Sequence, residues 1–335
     1  MPVPLPPLLA SLLPILLYLA GLRYLDSYRL VRPRSVLFAI GAGIAAAVLA
    51  FITNSFLMNH IEIDFQFYSR YGAPLVEEAA KGLYVVYIVR SKKVGFMVDA
   101  AICGFAVGSG FSLAENIFYL GSIEEGNLLL WLIRGLGTAV MHGGTTAIFA
   151  VAGKTLSDSR PSAGIFAFAP GFLLVAIIHS LFNHFFLPPL YSTISILITV
   201  PAILMLVFRQ SEQNTRHWLG IGFDSDVELL GMINSGNIAE TRVGEYLRSL
   251  EDKFQPEVLV DLFCYLRVYL ELAIQAKGIL LMRDSGFDVP PDPAVNEHFS
   301  ELKYLSRTIG KTGLLALAPF IHTSSRDLWQ LHTLR

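Results

Sequence analysis

Ala73-Pro-Leu-Val-Glu-Glu-Ala-Ala-Lys-Gly-Leu-Tyr-Val-Val-Tyr-Ile-Val89 is the stretch that decides how this chain is read. Its length and apolar content suit a bilayer-crossing helix, which needs roughly 20 residues rising 1.5 Å each. Its first turns nevertheless carry Glu77, Glu78 and Lys81. An ionisable side chain at membrane depth costs about 2.5–3.5 kcal/mol on insertion scales, so three in two turns require a reason. On a helix, Lys81 lies four residues from Glu77 and three from Glu78, so one carboxylate can pair with the ammonium. The other points about 100° away and is left for another task. A structural ion pair between helices is the plain alternative, because buried charges are usually paired.

The surrounding sequence supports a membrane setting. Of 335 residues, 53% are hydrophobic and 16% charged, against about 25% charged in soluble chains. Mean hydropathy is +0.54. The net charge of −2 offers no electrostatic case for a nucleic-acid partner. Cys103 and Cys264 stand far apart and suggest neither a disulfide framework nor a thiolate metal site.

Working outward, apolar runs at Leu5 to Leu22, Ser35 to Met58, Ala73 to Val89, Phe96 to Leu120, Leu128 to Gly153 (interrupted by Arg134), Ile165 to Leu187 and Leu190 to Phe208 predict about seven spans. The first lacks a basic leader and reads as a span rather than a cleaved signal. Asn59 to Gly72 reads as a polar loop, and Glu124 and Glu125 follow the fourth span. Arg23, Arg29, Arg32, Arg34, Arg90, Lys92, Lys93, Lys154 and Arg160 fall in alternate loops, opposite little beyond Arg70. The positive-inside rule then puts the amino end outside and the carboxyl tail in the cytosol. The expectation is an all-α, polytopic, multi-pass protein of the cell membrane. A transmembrane domain spans 1–208 and a small helical cytosolic module 209–335.

In that module, Pro256 to Asp284 has helical periodicity through Leu259, Leu262, Phe263, Leu266 and Leu270. Asp288-Val-Pro-Pro-Asp-Pro293 reads as a stiff linker to a helix around Ala294 to Ile309. Gly310-Lys311-Thr312 lacks the upstream glycine and strand of a phosphate loop and is set aside.

With spans oriented, the polar residues share one layer in the outer half: Glu77, Glu78 and Lys81 on the third, Glu115 and Asn116 on the fourth, His142 on the fifth, His179 and Asn183 on the sixth. Independent ion pairs have no reason to share a depth, so the convergence points to a functional site. Gly104, Gly108, Ser112 and Glu115 follow one side of the fourth span, small residues there permitting close approach. Phe111 projects with Glu115 and His179 with Asn183, each four apart. His184 faces elsewhere, and His60, His217, His298, His322 and His332 belong to loops or tail.

A dry layer of carboxylate, imidazole and amide suits hydrolysis by an activated water. A buried carboxylate can act as general base, a histidine can orient the water or donate to the leaving nitrogen, and Asn183 can donate to an oxyanion. The zinc motif His-Glu-x-x-His is absent; Val107-Gly-Ser-Gly110 departs from the serine-protease pattern, and Gly220-Ile-Gly-Phe-Asp224 has the wrong spacing for an aspartyl site. The other readings are an ion- or proton-coupled transporter, which would favour an inverted repeat not visible here, and a non-catalytic binding protein.

Four ordered blocks carry a resemblance: Val76-Glu-Glu-Ala-Ala-Lys-Gly82, Gly104-Phe-Ala-Val-Gly-Ser-Gly-Phe-Ser-Leu-Ala-Glu-Asn-Ile-Phe-Tyr119, Met141-His142 with Ile148-Phe149, and His179-Ser-Leu-Phe-Asn183. Together they resemble the PrsW family of intramembrane proteases, itself similar to the Abi/CAAX-type group. The resemblance implies a protease that cuts a single-pass, membrane-anchored protein such as an anti-sigma factor near the outer face. Glu77 and Glu78 match the glutamate pair, Lys81 its partner, and His179 and Asn183 the last motif. Glu115 stands where the Abi/CAAX relatives usually have histidine. The resemblance implies catalytic roles for Glu77, Glu78, Glu115, His142, His179 and Asn183, supported by Lys81, Phe111 and Asn116. Glutamate-activated water is the first expectation. A divalent ion such as zinc is the alternative, with Glu77 or Glu78, Glu115, His142 and His179 as candidate ligands, and Glu78 the carboxylate favoured from the pair.

Overall fold

The computed structural model describes residues 5–123, 127–287, 289, 292–321 and 334, so Glu124, Glu125, half of the Asp288-to-Pro293 linker (Asp288, Pro290 and Pro291), His322 and His332 lie outside the described residues. It divides into two compact units, Met1–Glu212 and Gln213–Arg335. All regular structure among the described residues is helical.

The first unit is a helix bundle. Its helices are α1 (Leu5–Tyr24), α2 (Pro33–His60), α3 (Ala73–Arg90), α4 (Met97–Ser122), α5 (Leu128–Ser159), α6 (Ala169–Asn183, led in by a 3-10 stretch Pro161–Phe168) and the start of α7 (Pro189–Ser235). Six of these segments are long and apolar enough to cross a membrane. The exception is α3, whose 18 residues include Glu77, Glu78, Lys81 and Arg90. It packs against α2, α4, α5 and α6, so Glu77, Glu78 and Lys81 meet protein, while Arg90 is exposed at its end.

The bundle is built around α4. Every residue from Val98 to Ser112 is buried, and the helix packs most extensively on α5 and α2. Small side chains make this possible: a Cβ on Gly110 would stand 2.0 Å from the Ile40 carbonyl oxygen of α2. Without a hydrophobic drive between helices in lipid, close packing of this kind holds spans together. The first helix belongs to the bundle as well, since the Asn116 amide Nδ2 donates to the Ser11 carbonyl at 2.9 Å.

Four element boundaries differ from the sequence reading. The expected loop Asn59 to Gly72 turns helical at Phe65, because the Asp64 carboxylate accepts from the Phe67 N–H (2.9 Å) and caps the turn. That turn leads through a π-helical stretch, Tyr68–Gly72, straight into α3. The fifth span is interrupted by a second π turn, Arg134–Thr138, and continues to Ser159. The sixth is broken at Gly164 and stops at Asn183 rather than Leu187. The last helix runs beyond Phe208 to Ser235, since no residue before Gly236 (φ 75°) forces it to stop. The division between units falls within it, at Glu212.

The second unit packs α8 (Arg242–Arg248), α9 (Pro256–Asp284) and α10 (Val295–Leu317) around Leu262, Leu266, Leu270 and Leu305, with Leu259 and Phe263 half-buried against them. Gly310 sits in α10 as a break with φ 64°. A buried ion pair, Lys277 Nζ to Asp226 Oδ2 at 2.7 Å, lies beside Trp218.

Candidate active site

The site begins with the π turn ahead of α3. Its i→i+5 bonding, Ala73 N–H to Tyr68 C=O, frees carbonyls that α6 then satisfies. Asn183 Nδ2 donates to the Ser69 carbonyl (3.0 Å) and Ser180 Oγ to that of Arg70 (2.6 Å). His184 binds the Ser180 carbonyl and approaches Tyr71 Oη at 3.0 Å, facing away from the acidic pair as expected. α3 therefore starts at a fixed rotation, and π turns of this kind recur at functional sites.

That rotation settles which glutamate pairs. Lys81 Nζ donates to Glu78 Oε1 at 2.6 Å, and both side chains are almost wholly buried. The same oxygen accepts at 2.8 Å from Nδ1 of His179. Lys81 also lies 3.1 Å from His142 Nδ1 and 5.0 Å from the centre of the Phe111 ring. Glu77 is the free member. Its carboxylate Oε2 is 3.8 Å from His179 Nε2 and its side chain stays 17% exposed.

His142 arrives from α5 because Gly108 of α4 lets the backbones close: a Cβ there would stand 2.1 Å from the His142 carbonyl oxygen. Its ring meets Phe111 and His179 at centroid distances of 5.0 and 4.9 Å. Glu115 Oε2 approaches His142 Nε2 at 3.2 Å, and Glu115 Oε1 lies 3.4 Å from Arg134 Nη2. Glu77, Glu78, Lys81, Phe111, Glu115, His142 and His179 thus come together. Asn116 and Asn183 direct their hydrogen bonds elsewhere: Asn116 binds Ser11 and Arg134, and Asn183 serves the π turn.

Arg134 was legible only as an interruption of a span. It sits on the second π turn, donates from Nε to Asn116 Oδ1 (3.1 Å), and stacks its guanidinium on Tyr119 at 3.9 Å. A lone cation inside an apolar run was the available signal.

The donor set can be tested against a divalent ion. Glu77, His142 and His179 each offer a ligand atom, all within 4.8 Å of one another. One carboxylate and two imidazoles form a zinc-type set. His179 is oriented for it: with Nδ1 directed at Glu78, Nε2 is left facing Glu77, as in carboxylate–histidine–metal arrangements. His142 completes the set only by exchanging one neighbour, Lys81 Nζ or Glu115 Oε2, for the ion. Of the candidate ligands the sequence offers, Glu77, His142 and His179 bring their ligand atoms together. Glu78, the carboxylate favoured from the pair, is bonded to Lys81 and His179, and Glu115 faces His142 from its other side.

A polytopic helical bundle with carboxylates and imidazoles gathered inside it defines a multi-pass membrane protein with a functional site within the bundle. The family model of the PrsW family intramembrane metalloproteases matches residues 32–208, more than half of the chain. The chain belongs to this family: it is a multi-pass intramembrane protease of the cell membrane, acting on membrane-protein substrate in the bilayer. No curated protein and no solved structure matches it.

Proposed function

We propose that the chain is an endopeptidase that cuts a single-pass, membrane-anchored protein, an anti-sigma factor being one example, near the outer face, with Glu77, His142 and His179 as its reaction centre. In this reading α3 is the seventh crossing, residues 1–208 carry the protease, and residues 209–335 are cytosolic. One observation carries the proposal: three potential ligand atoms from α3, α5 and α6 lie within 4.8 Å, backed by buried partners that orient them.

A divalent ion held by Glu77, His142 and His179 would polarise the scissile carbonyl and make a bound water acidic enough to attack near neutral pH. The chain's own residues do the rest. Glu78 accepts the hydrogen bond of His179 Nδ1 and fixes that ring's tautomer. Lys81 neutralises Glu78 and so keeps a second buried negative charge from opposing Glu77. Phe111 walls the site beside Lys81 and His142, limiting water on that side. Glu77 and Glu115, 17% and 24% exposed, form the open side that substrate reaches. Glutamate-activated water uses the same atoms: Glu77 would take the proton of a water that His179 Nε2 orients.

The test is cleavage of a single-span reporter by purified protein in bicelles, with metal content measured in parallel. Glu77→Gln should abolish cleavage while the helical fold melts as before. Bound zinc, about one per chain in wild type, should be lost in Glu77→Gln and His179→Gln. Wild-type turnover in Glu77→Gln would overturn the proposal. Full activity after complete metal removal would transfer the role to the glutamate-activated water.

A further inference from the structure

Beside the reaction centre, Glu115 Oε2 and Arg134 Nη2 are buried atoms that make no aligned hydrogen bond, although His142 Nε2 lies 3.2 Å from the first and Glu115 Oε1 3.4 Å from the second. The two side chains approach at 3.4 Å without an aligned bond. Buried polar groups are nearly always satisfied, so neighbouring unpaired ones, a donor and an acceptor, call for an explanation. Neither side chain is sealed: Arg134 retains 15% and Glu115 24% exposure. The other polar donors nearby are committed. Lys81 serves Glu78 and His142, Asn183 serves Ser69, Asn116 serves Ser11, and His179 Nδ1 serves Glu78.

The substrate brings a matching need. A transmembrane helix must unwind locally before a peptide bond can be attacked, which strips N–H and C=O groups of their partners. In a water-poor setting each such group costs several kcal/mol. We propose that Arg134 and Glu115 form a main-chain clamp for the unwound substrate, Arg134 Nη2 donating to a peptide carbonyl and Glu115 Oε2 accepting a peptide N–H. The partner is thus the polypeptide backbone itself, recognised without regard to side chains. Arg134 is placed for this by its Nε bond to Asn116 and its stack on Tyr119, which hold the guanidinium plane along α4. The inference rests on the peptidase reading above.

The experiment uses the full chain in bicelles and a quenched-fluorescence single-span peptide that wild type cleaves and Glu77→Gln does not. Backbone amides around the cut site are replaced one at a time by esters, which remove an N–H and weaken the preceding carbonyl as acceptor. Each peptide is assayed with wild type, Arg134→Met and Arg134→Lys. At one position the ester should slow wild type about 10- to 100-fold, the size of a hydrogen bond to a charged group, and should have far less effect on Arg134→Met. Such coupling is a double-mutant-cycle signature that a purely structural arginine does not produce. Equal ester effects in all three proteins at every position would overturn the clamp. Arg134→Lys keeps the charge beside Glu115, so it reports on the clamp even if Arg134→Met folds poorly. Cleavage surviving in Glu77→Gln would instead break the peptidase reading, a result separable from a flat ester scan.

Discussion

Gly108→Ala is the perturbation whose effect follows most directly from the coordinates. Its Cβ would stand 2.1 Å from the carbonyl oxygen of His142, 2.5 Å from the carbonyl carbon and 2.7 Å from Cα of Gly143. These are backbone atoms, so no side chain can rotate away. Reaching even the 3.0 Å floor of real contacts requires α4 and α5 to part locally by 0.9 Å (3.0 minus 2.1). Overpacking of this kind costs about 1–3 kcal/mol. The larger effect is on chemistry, because the displaced residue is His142 itself. A misplacement of about 1 Å in a reacting group costs on the order of 100-fold in rate. The assay is initial-rate cleavage of a single-span reporter, with thermal melting followed by circular dichroism. Expected is a roughly 100-fold fall in kcat with little change in KM. Gly121→Ala, on the same helix with nothing within 4 Å, should behave as wild type. A Gly108→Ala protein with wild-type rate and melting would refute the claim that this glycine sets the position of His142.

Lys81→Met should destabilise the fold by about 3–5 kcal/mol by stranding a buried carboxylate. Adding Glu78→Gln should recover part of that, and strictly additive losses in reversible unfolding would show the pair to be uncoupled. Asn183→Ala should lower stability by about 1 kcal/mol through loss of its bond to Ser69 and slow cleavage no more than about tenfold. A fall of 100- to 1,000-fold with unchanged melting would restore it as an oxyanion donor. Lys277→Met should destabilise the second unit by removing the ammonium buried against Asp226, read as earlier hydrogen exchange across Pro256–Asp284 without loss of exchange protection in Met97–Ser122.

The helices of the bundle were legible because long apolar runs alternate with basic clusters, a pattern that membrane physics makes nearly unavoidable. Candidate site residues were legible for the same reason: an ionisable residue inside such a run stands out. Spacing said that one glutamate pairs with Lys81, but either could. The choice of Glu78 depends on the rotation at which α3 leaves the π turn. The placement of Asn183 was hidden too, because nothing in the letters reveals that the Ser69 carbonyl has lost its helical partner. Arg134 was visible as a charge and invisible as a neighbour of Glu115, since that contact joins different spans. The extent of α7 was missed because a change in composition is not a change in backbone preference.

A wide turn such as Tyr68–Gly72 holds one residue more than an ordinary helical turn. Each residue of α-helix advances the azimuth by about 100°. Shortening the chain by a single position there would therefore swing the acidic pair a quarter-turn or more out of register with the imidazoles facing it. The stagger between the two halves of the reaction centre is kept by one extra peptide unit, which makes the segment before the glutamates as intolerant of deletion as the glutamates are of replacement.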